Sequence, residues 1–147
     1  MPEKEILTEI EIDAEPGRVW EVLTDFVSYP DWNPMLKNAS GELREGARLE
    51  LCFEPEGRKR RTFRPRLLVV EPDRELRWLG SPGVPGLLES QHYFIIERIP
   101  EGRSRLRHGI VFYGLFIPLM GGRPEASTRG PFEEMNRALK DRAESGK

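Results

Sequence analysis

The chain of 147 residues has few of the side chains on which several common kinds of site depend. Its one cysteine, Cys52, excludes a disulfide within the chain and a multi-cysteine zinc site, and it suits a reducing compartment. The sequence has 23 lysines and arginines and 25 aspartates and glutamates, which gives a formal net charge of -2. With so small an imbalance, no overall charge attracts nucleic acid or an anionic membrane, and we expect neither as a partner.

Long hydrophobic runs are also missing from the sequence. The first segment, MPEKEILTEIEID, is rich in acidic residues and lacks the apolar stretch of a secretion signal. A later run, LFIPLM, is far shorter than the ~20 residues that a membrane helix needs. We therefore predict a soluble cytoplasmic protein with no membrane insertion. Its length fits a single domain, residues 1–147, with one sizeable core.

The apolar residues that are present follow two different periods. EILTEIEID alternates in the manner of a half-buried strand, whereas EPGRVWEVL starts near Pro16 and gathers its apolar residues on one helical face. From there to about Phe112, short extended pieces separated by turns rich in proline and glycine predict an antiparallel meander. FEEMNRALKDRAE then returns to helical spacing. This order predicts an α+β fold whose sheet covers its apolar face with the last helix.

Three segments carry a resemblance to a known family: EPGRVWEVLTDFVSYPDWNP, SQHYFIIERIPEGRSRLRH, and VFYGLFIPLM followed by FEEMNRALKDRAE. In this order they resemble the START-like, or SRPBCC, superfamily, and within it the polyketide cyclase/dehydrase type. The resemblance implies a helix-grip fold, in which a curved seven-stranded antiparallel sheet wraps around a long C-terminal helix and an apolar cavity. Members of the superfamily bind lipids, polyketides or plant hormones, and some catalyse aromatic ring closure and dehydration.

The last helix departs from the pattern of this superfamily because glycine and proline interrupt it. Pro131 cannot donate a backbone hydrogen bond and costs about 3 kcal/mol inside an undisturbed helix. We therefore expect a kink or a break near Pro131, between Glu125 and Glu144.

Large apolar side chains are predicted to gather where the sheet opens. The stretch SYPDWNPML is held out of a long helix by its two prolines, so it can supply bulky side chains to a gap at the mouth of the sheet. Strand alternation adds further residues to this gap, although plain core packing is the alternative for many of them. The expected ligand-binding residues are Trp32, Met35, Phe53, Phe63, Trp78, Phe94, Phe112, Phe116 and Met135.

The two histidines are the candidate catalytic residues. Alternation places His92 and His108 on the inward side of neighbouring strands, and a three-residue loop ending at Gly102 would set Phe94 opposite His108. Both could assist proton transfer, because histidine titrates near neutral pH. The other interpretation is a pair of hydrogen-bonded core histidines, or of histidines at the cavity edge.

No other motif for chemistry is present, and we expect neither a metal nor a cofactor. The basic segment GRKRRTFRPR has two interpretations, a patch for an acidic group or a solvated hairpin tip. The glycine- and proline-rich loop at 80–86 is either a lid or a long hairpin loop.

Three functions remain open on the sequence. The first is binding of a small apolar molecule, lipid-like or polyketide-like, in an internal cavity. The second is a polyketide cyclase or dehydratase that uses general acid-base chemistry. The third is a protein-interaction module. An enzyme needs polar groups placed inside the cavity for proton transfer, whereas a carrier works with an almost wholly apolar wall. The sequence leaves the ligand, the pathway and the oligomeric state open.

Overall fold

The structure is a computed structural model that describes residues 3–80, 88–115, 117–120 and 123–146. These residues form an antiparallel sheet system with one long C-terminal helix, so the α+β class is confirmed. The strands are β1 (Glu3–Ile12), β2 (Leu36–Ser40), β3 (Glu50–Phe53), β4 (Arg61–Phe63), β5 (Arg66–Glu71), β6 (Glu75–Gly80), β7 (Glu89–Ile99) and β8 (Arg103–Tyr113). The helices are α1 (Pro16–Thr24), α2 (Tyr29–Trp32), α3 (Ile117–Met120) and α4 (Arg123–Ser145), with a 3-10 turn at Phe26–Ser28.

The strands form two sheets that meet along one edge. Five strands lie in the order β1-β8-β7-β6-β5 and three in the order β2-β3-β4, with every neighbouring pair antiparallel. The amide of Leu67 donates to the carbonyl of Ala47 at 2.8 Å, and the amide of Leu49 donates to the carbonyl of Pro65 at 2.9 Å. These bonds join the start of β5 to the segment that leads into β3.

The described strands number eight rather than the predicted seven. The alternation of RTFRPRLLVV predicts one extended piece with Phe63, Pro65, Leu67 and Val69 inward, but the structure divides it into β4 and β5 on either side of Pro65. Proline has no backbone N–H for a sheet ladder, so a strand tends to end there. A register shift between Leu67 and Val69 follows, and it places Val70 rather than Val69 against the core.

The long helix α4 grips the five-stranded sheet. It packs along β1 and also contacts α1, α2 and β8. The described side chains that it buries are Thr128, Pro131, Phe132, Met135, Asn136, Leu139 and Ala143.

The predicted break in α4 is wrong, because α4 continues through Pro131. Arg58, on the turn between β3 and β4, donates from Nη1 to the carbonyl of Ser127 at 3.2 Å. Ser127 stands four residues before Pro131, so in a regular helix its carbonyl would accept from the backbone N–H of residue 131. Proline has no N–H, and Arg58 donates to this carbonyl from outside the helix. A bend at Pro131 stays a prediction.

The concave face of the five-stranded sheet carries side chains in regular layers. Cross-strand pairing places Thr8, His108, Phe94 and Leu76 side by side in one layer. The next layer toward the C-terminal end of β6 contains Ile6, Ile110, His92, Trp78 and Leu67. The layer after that contains Lys4, Phe112, Ser90 and Gly80. These three layers place the two histidines next to each other.

The convex face of the same sheet carries ion pairs. Arg107 contacts Glu9 at 2.9 Å, while Arg103 and Arg105 contact Glu11 at 2.9 and 3.1 Å. Charged side chains therefore occupy the solvent side, and the concave side is mostly apolar, with Lys4 in its third layer and a few buried polar groups.

Candidate functional site

The two histidines lie side by side on the concave face, as the alternation predicts. Phe94 pairs with His108 and His92 pairs with Ile110 in the β7–β8 ladder. The turn that sets this register has Gly102 at φ 73°, in the left-handed region expected for it. The two Nε2 atoms are 2.8 Å apart, and the exposed fraction is 6% for His92 and 0% for His108. The histidines are therefore hydrogen-bonded to each other inside the protein.

Two residues that sequence reasoning missed extend this contact. The Nδ1 atom of His108 lies 2.8 Å from Oδ1 of Asn136 on α4, and Nδ2 of Asn136 donates to Oγ1 of Thr8 at 2.8 Å. The Thr8 hydroxyl in turn donates to the His108 carbonyl at 2.7 Å. We call Thr8, His92, His108 and Asn136 the histidine chain. The available signal was weak: Thr8 is a polar residue in the apolar stripe of β1, and Asn136 stands four residues after Phe132.

The direction of each hydrogen bond in the histidine chain follows from its ends. A carbonyl can only accept, so the single hydroxyl proton of Thr8 goes to the His108 carbonyl and the Thr8 oxygen accepts from Asn136. The amide oxygen of Asn136 then accepts from His108, which places the proton of the neutral ring on Nδ1. The bare Nε2 of His108 accepts from Nε2–H of His92. The remaining nitrogen, Nδ1 of His92, is therefore an acceptor.

Burial keeps both rings neutral. Removal from water lowers the pKa of His92 well below its usual value, and the neighbouring His108 lowers it further. Burial also lowers the pKa of His108 to about 3, although hydrogen bonds with Asn136 and the backbone of Phe132 act in the opposite direction. At neutral pH the histidine chain therefore keeps the proton positions derived above. Neither histidine is a strong base.

Aromatic rings enclose the histidine pair. The ring of Phe132 lies nearly parallel to His108 with centroids 3.9 Å apart, and Phe94 stacks on His108 at 4.2 Å. Trp78 contacts His92 with a centroid distance of 4.6 Å. This packing excludes water from most of the pair.

The residues predicted to bind a ligand separate into two groups. The floor residues have exposed fractions of 2% or less; they are Met35, Trp78, Phe94 and Met135. The rim residues, Trp32, Phe53, Phe63 and Phe112, are half-buried. Trp32, Phe53 and Phe63 pack against the main core cluster, whereas Phe112 lies near the end of β8. Phe116 lies outside the described residues, as does the 81–87 part of the loop considered as a lid. The role of the floor and rim residues as ligand contacts stays a prediction.

Two surface grooves lined by described residues include none of the floor and rim residues. One groove of about 480 Å³ follows the β5–β6 turn and β7, and includes Asp73 and Arg98. The other, about 320 Å³, lies beside the tip of the β3–β4 hairpin and includes Lys37, Arg58 and Glu134. Both are lined largely by charged side chains, so neither suits an apolar ligand.

Unpaired polar atoms mark the rim at Trp32 and Asn33. Within the described part of the chain, Nε1 of Trp32 and Nδ2 of Asn33 are buried without a hydrogen-bond partner. The other amide atom of Asn33, Oδ1, accepts from the backbone N–H groups of Met35 and Leu36 at 2.9 and 2.8 Å. Buried donors normally have a partner, such as an ordered water or a ligand oxygen. Each of these two donors therefore lacks the partner that a buried donor normally has.

Other kinds of site find no support in the described residues. They contain no group of three or more metal-ligating side chains, and none of their helices is long and apolar enough to cross a membrane.

Comparison with protein families gives a match over residues 4–144. The matching family is described as polyketide cyclase / dehydrase and lipid transport. No curated protein matches the chain.

Comparison with solved structures supports the helix-grip fold. A START superfamily protein from Mycobacterium smegmatis is 18% identical with a TM-score of 0.77, over 97% of this chain and 99% of that one. Norcoclaurine synthase from Thalictrum flavum, solved with dopamine and hydroxybenzaldehyde, is 14% identical with a TM-score of 0.75, over 99% and 89% of the two chains. At such low identities the similarity establishes the fold alone.

A two-domain structure is also similar. The di-domain ARO/CYC BexL from the BE-7585A biosynthetic pathway is 12% identical with a TM-score of 0.72 over 93% of this chain. The chain spans 46% of that protein's length.

Proposed function

Since the chain belongs to the polyketide cyclase / dehydrase and lipid transport family, we propose that it binds a small, largely apolar molecule between its sheets and α4. The ligand would contact the rim residues and reach toward the floor residues. Such a site would match the usual form of small-molecule pockets, which are mostly apolar with a few placed polar groups.

The observation that supports this proposal best is the half-buried state of the rim residues. Trp32, Phe53 and Phe63 pack against the core and yet keep part of their surface exposed. Grouped aromatic surface of this kind gains free energy when an apolar molecule covers it, by about 25 cal/mol for each Å². The unpaired donors of Trp32 and Asn33 add a place for a carbonyl or hydroxyl oxygen of the ligand.

The test is a titration with N-phenyl-1-naphthylamine, a neutral apolar dye whose fluorescence rises in an apolar site. We expect saturable binding to the wild type and an affinity about tenfold lower in Phe63→Ala, because the variant loses apolar contact area. Val27→Ala is the matched control, since Val27 is 89% exposed and lies outside the rim. If the wild type shows no saturable binding, or Val27→Ala weakens binding as much as Phe63→Ala, the proposal fails.

Catalysis is the second candidate, and the histidine chain is the observation that favours it. Nδ1 of His92 is an acceptor at the end of a directed series of hydrogen bonds, so it could orient a ligand hydroxyl or take its proton. The lowered pKa of His92 makes it a weak base, which favours orientation over proton removal.

Turnover of polyketide-like substrates in His92→Ala and His108→Ala separates the two candidates. A fall in turnover of about 100-fold or more, with dye binding unchanged, would support catalysis, because general acid-base help usually has that magnitude. A wild type that binds the dye but turns over none of the substrates would support binding alone. A protein that neither binds nor reacts would leave the interaction module as the function to pursue.

A further inference from the structure

Two basic residues of the β3–β4 hairpin, Arg61 and Arg64, lie on opposite faces. In the ladder, Leu51 pairs with Phe63 and Phe53 pairs with Arg61. Paired residues share a face, and residues two apart on a strand share it too. Because Leu51 is fully buried, this shared face is the core-facing one, and Arg61 stands at its edge with its own side chain exposed.

The neighbouring arginine on the hairpin shows the contrast. Arg64 binds Glu50 through Nη2 at 2.9 Å, and Glu50 is exposed beside the buried Leu51. Consecutive residues of a strand point to opposite faces, so Arg64 belongs to the solvent side. The basic segment is therefore not one continuous patch, because its members are divided between the two faces of the hairpin.

The partner of the Arg61 guanidinium is an aromatic ring. Its Cζ atom lies 5.5 Å from the centre of the Phe53 ring. Among the described residues, no carboxylate lies within ion-pair distance of Arg61, whereas Arg64, Arg103, Arg105 and Arg107 each have at least one. A ring face attracts a cation but leaves its N–H donors free for an anion. Arg61 thus brings an uncompensated positive charge to the rim residues.

The position of the hairpin directs this charge toward the proposed site. Its turn reaches α4 through the hydrogen bond from Arg58 to the Ser127 carbonyl, while α4 itself packs mainly along β1. Phe53 and Phe63, which share this side with Arg61, pack against the core cluster that also contains Phe132 and Met135 of α4, so this side of the hairpin is the one turned toward the helix. A molecule whose apolar part covers Phe63 would bring its end close to Arg61.

We propose that the ligand is an amphipathic anion and that Arg61 binds its head group, a carboxylate or a phosphate, at the rim. This inference rests on the proposed function, since it assigns the chemical class of the molecule bound there. The planar guanidinium can donate two parallel hydrogen bonds to either anion. The apolar chain of the ligand then extends over Phe53 and Phe63 toward the floor residues.

Three ligands with the same chain test the head group: dodecanoate, dodecyl phosphate and the neutral 1-dodecanol. Affinities are measured by tryptophan fluorescence below the micelle concentration, in the wild type, Arg61→Gln and Arg64→Gln. Both variants remove one positive charge from the same hairpin, and only Arg61 lies on its core-facing side. We expect the wild type to bind at least one of the two anions about tenfold or more tightly than the alcohol. Arg61→Gln should lose that preference and keep its affinity for the alcohol, whereas Arg64→Gln should keep the preference.

The outcomes separate the two proposals. Equal affinity of the wild type for the alcohol and both anions overturns the head-group proposal and leaves apolar binding standing. An equal loss of preference in Arg64→Gln also overturns it, because general surface charge would then be the cause. If the wild type binds none of the three ligands, the proposed function itself fails and the head group with it. A larger preference for one anion identifies the head group.

Discussion

The buried histidine pair makes the stability of the protein depend on pH. The unfolded chain has histidines of ordinary pKa, near 6.5, whereas the folded protein lowers the pKa of His108 to about 3 and that of His92 well below normal. Between these values the unfolded state binds more protons, so stability is fully present above pH 6.5 and is lost as the pH falls. We expect a loss of about 2 kcal/mol for each histidine between pH 7.5 and pH 5.

Urea unfolding at several pH values between 7.5 and 5 measures this loss. The range stays above the region where the carboxylates with lowered pKa, such as Glu11 and Glu144, contribute. The double variant His92→Phe, His108→Phe serves as the control, and its free energy of unfolding should change much less with pH. A wild type whose stability is constant over this range would contradict the assignment of two neutral buried rings.

The sequence predicts part of this site and not the rest. Strand alternation is a local property, so the inward direction of His92 and His108 and their register could be predicted before the fold was known. Asn136 and Thr8 could not, because their contact joins residues 128 positions apart in the chain. It exists only once α4 is packed over β1, and the sequence pattern does not fix how far the helix slides along the sheet.

Among the elements, the long helix α4 contains an internal proline, Pro131. Pro131→Ala restores a backbone N–H in the middle of the helix and removes a ring that fits poorly there. We expect a gain of about 1 kcal/mol in the free energy of unfolding, which is less than the full helix penalty because the buried proline ring also loses apolar contacts. Urea unfolding measures this gain. The control is Pro30→Ala at the exposed first turn of α2, which should change the free energy of unfolding little.

The grip of α4 on the sheet depends on single apolar side chains. Leu139 is fully buried, so Leu139→Ala should lower the free energy of unfolding by ~2–5 kcal/mol through lost transfer energy and a cavity. Arg137→Ala on the exposed side of the same helix is the control and should change stability by less than about 0.5 kcal/mol. Equal effects of the two substitutions would mean that the helix is not anchored as the structure shows.

Element boundaries were harder to predict than element types. The hydrophobic periods identified β1, α1, the meander and the final helix correctly. They did not show that Pro65 divides β4 from β5, because the apolar residues keep their alternation across it up to Leu67. Of the kink or break expected at Pro131, they did not exclude the break, which is absent because the tertiary contacts of Phe132, Met135 and Leu139 hold the helix together across the missing hydrogen bond.

The whole molecule is predicted to behave as one domain, residues 1–147. Its three tryptophans, Trp20, Trp32 and Trp78, lie on α1, α2 and β6 and therefore report on separate parts of the fold. A single core predicts one cooperative transition, so urea unfolding followed by tryptophan fluorescence should coincide with unfolding followed by far-ultraviolet circular dichroism. Two separated transitions would contradict the single domain.

The histidine chain also constrains how this protein can change over evolutionary time. Each of its four side chains supplies the partner that another one needs, so replacing any one of them leaves a buried group unsatisfied. A descendant that replaces the chain with apolar residues must therefore pass through less stable intermediates, which is a case of epistasis. Homologous sequences should accordingly exchange positions 8, 92, 108 and 136 together, and an ancestral reconstruction that finds them changing independently would contradict this.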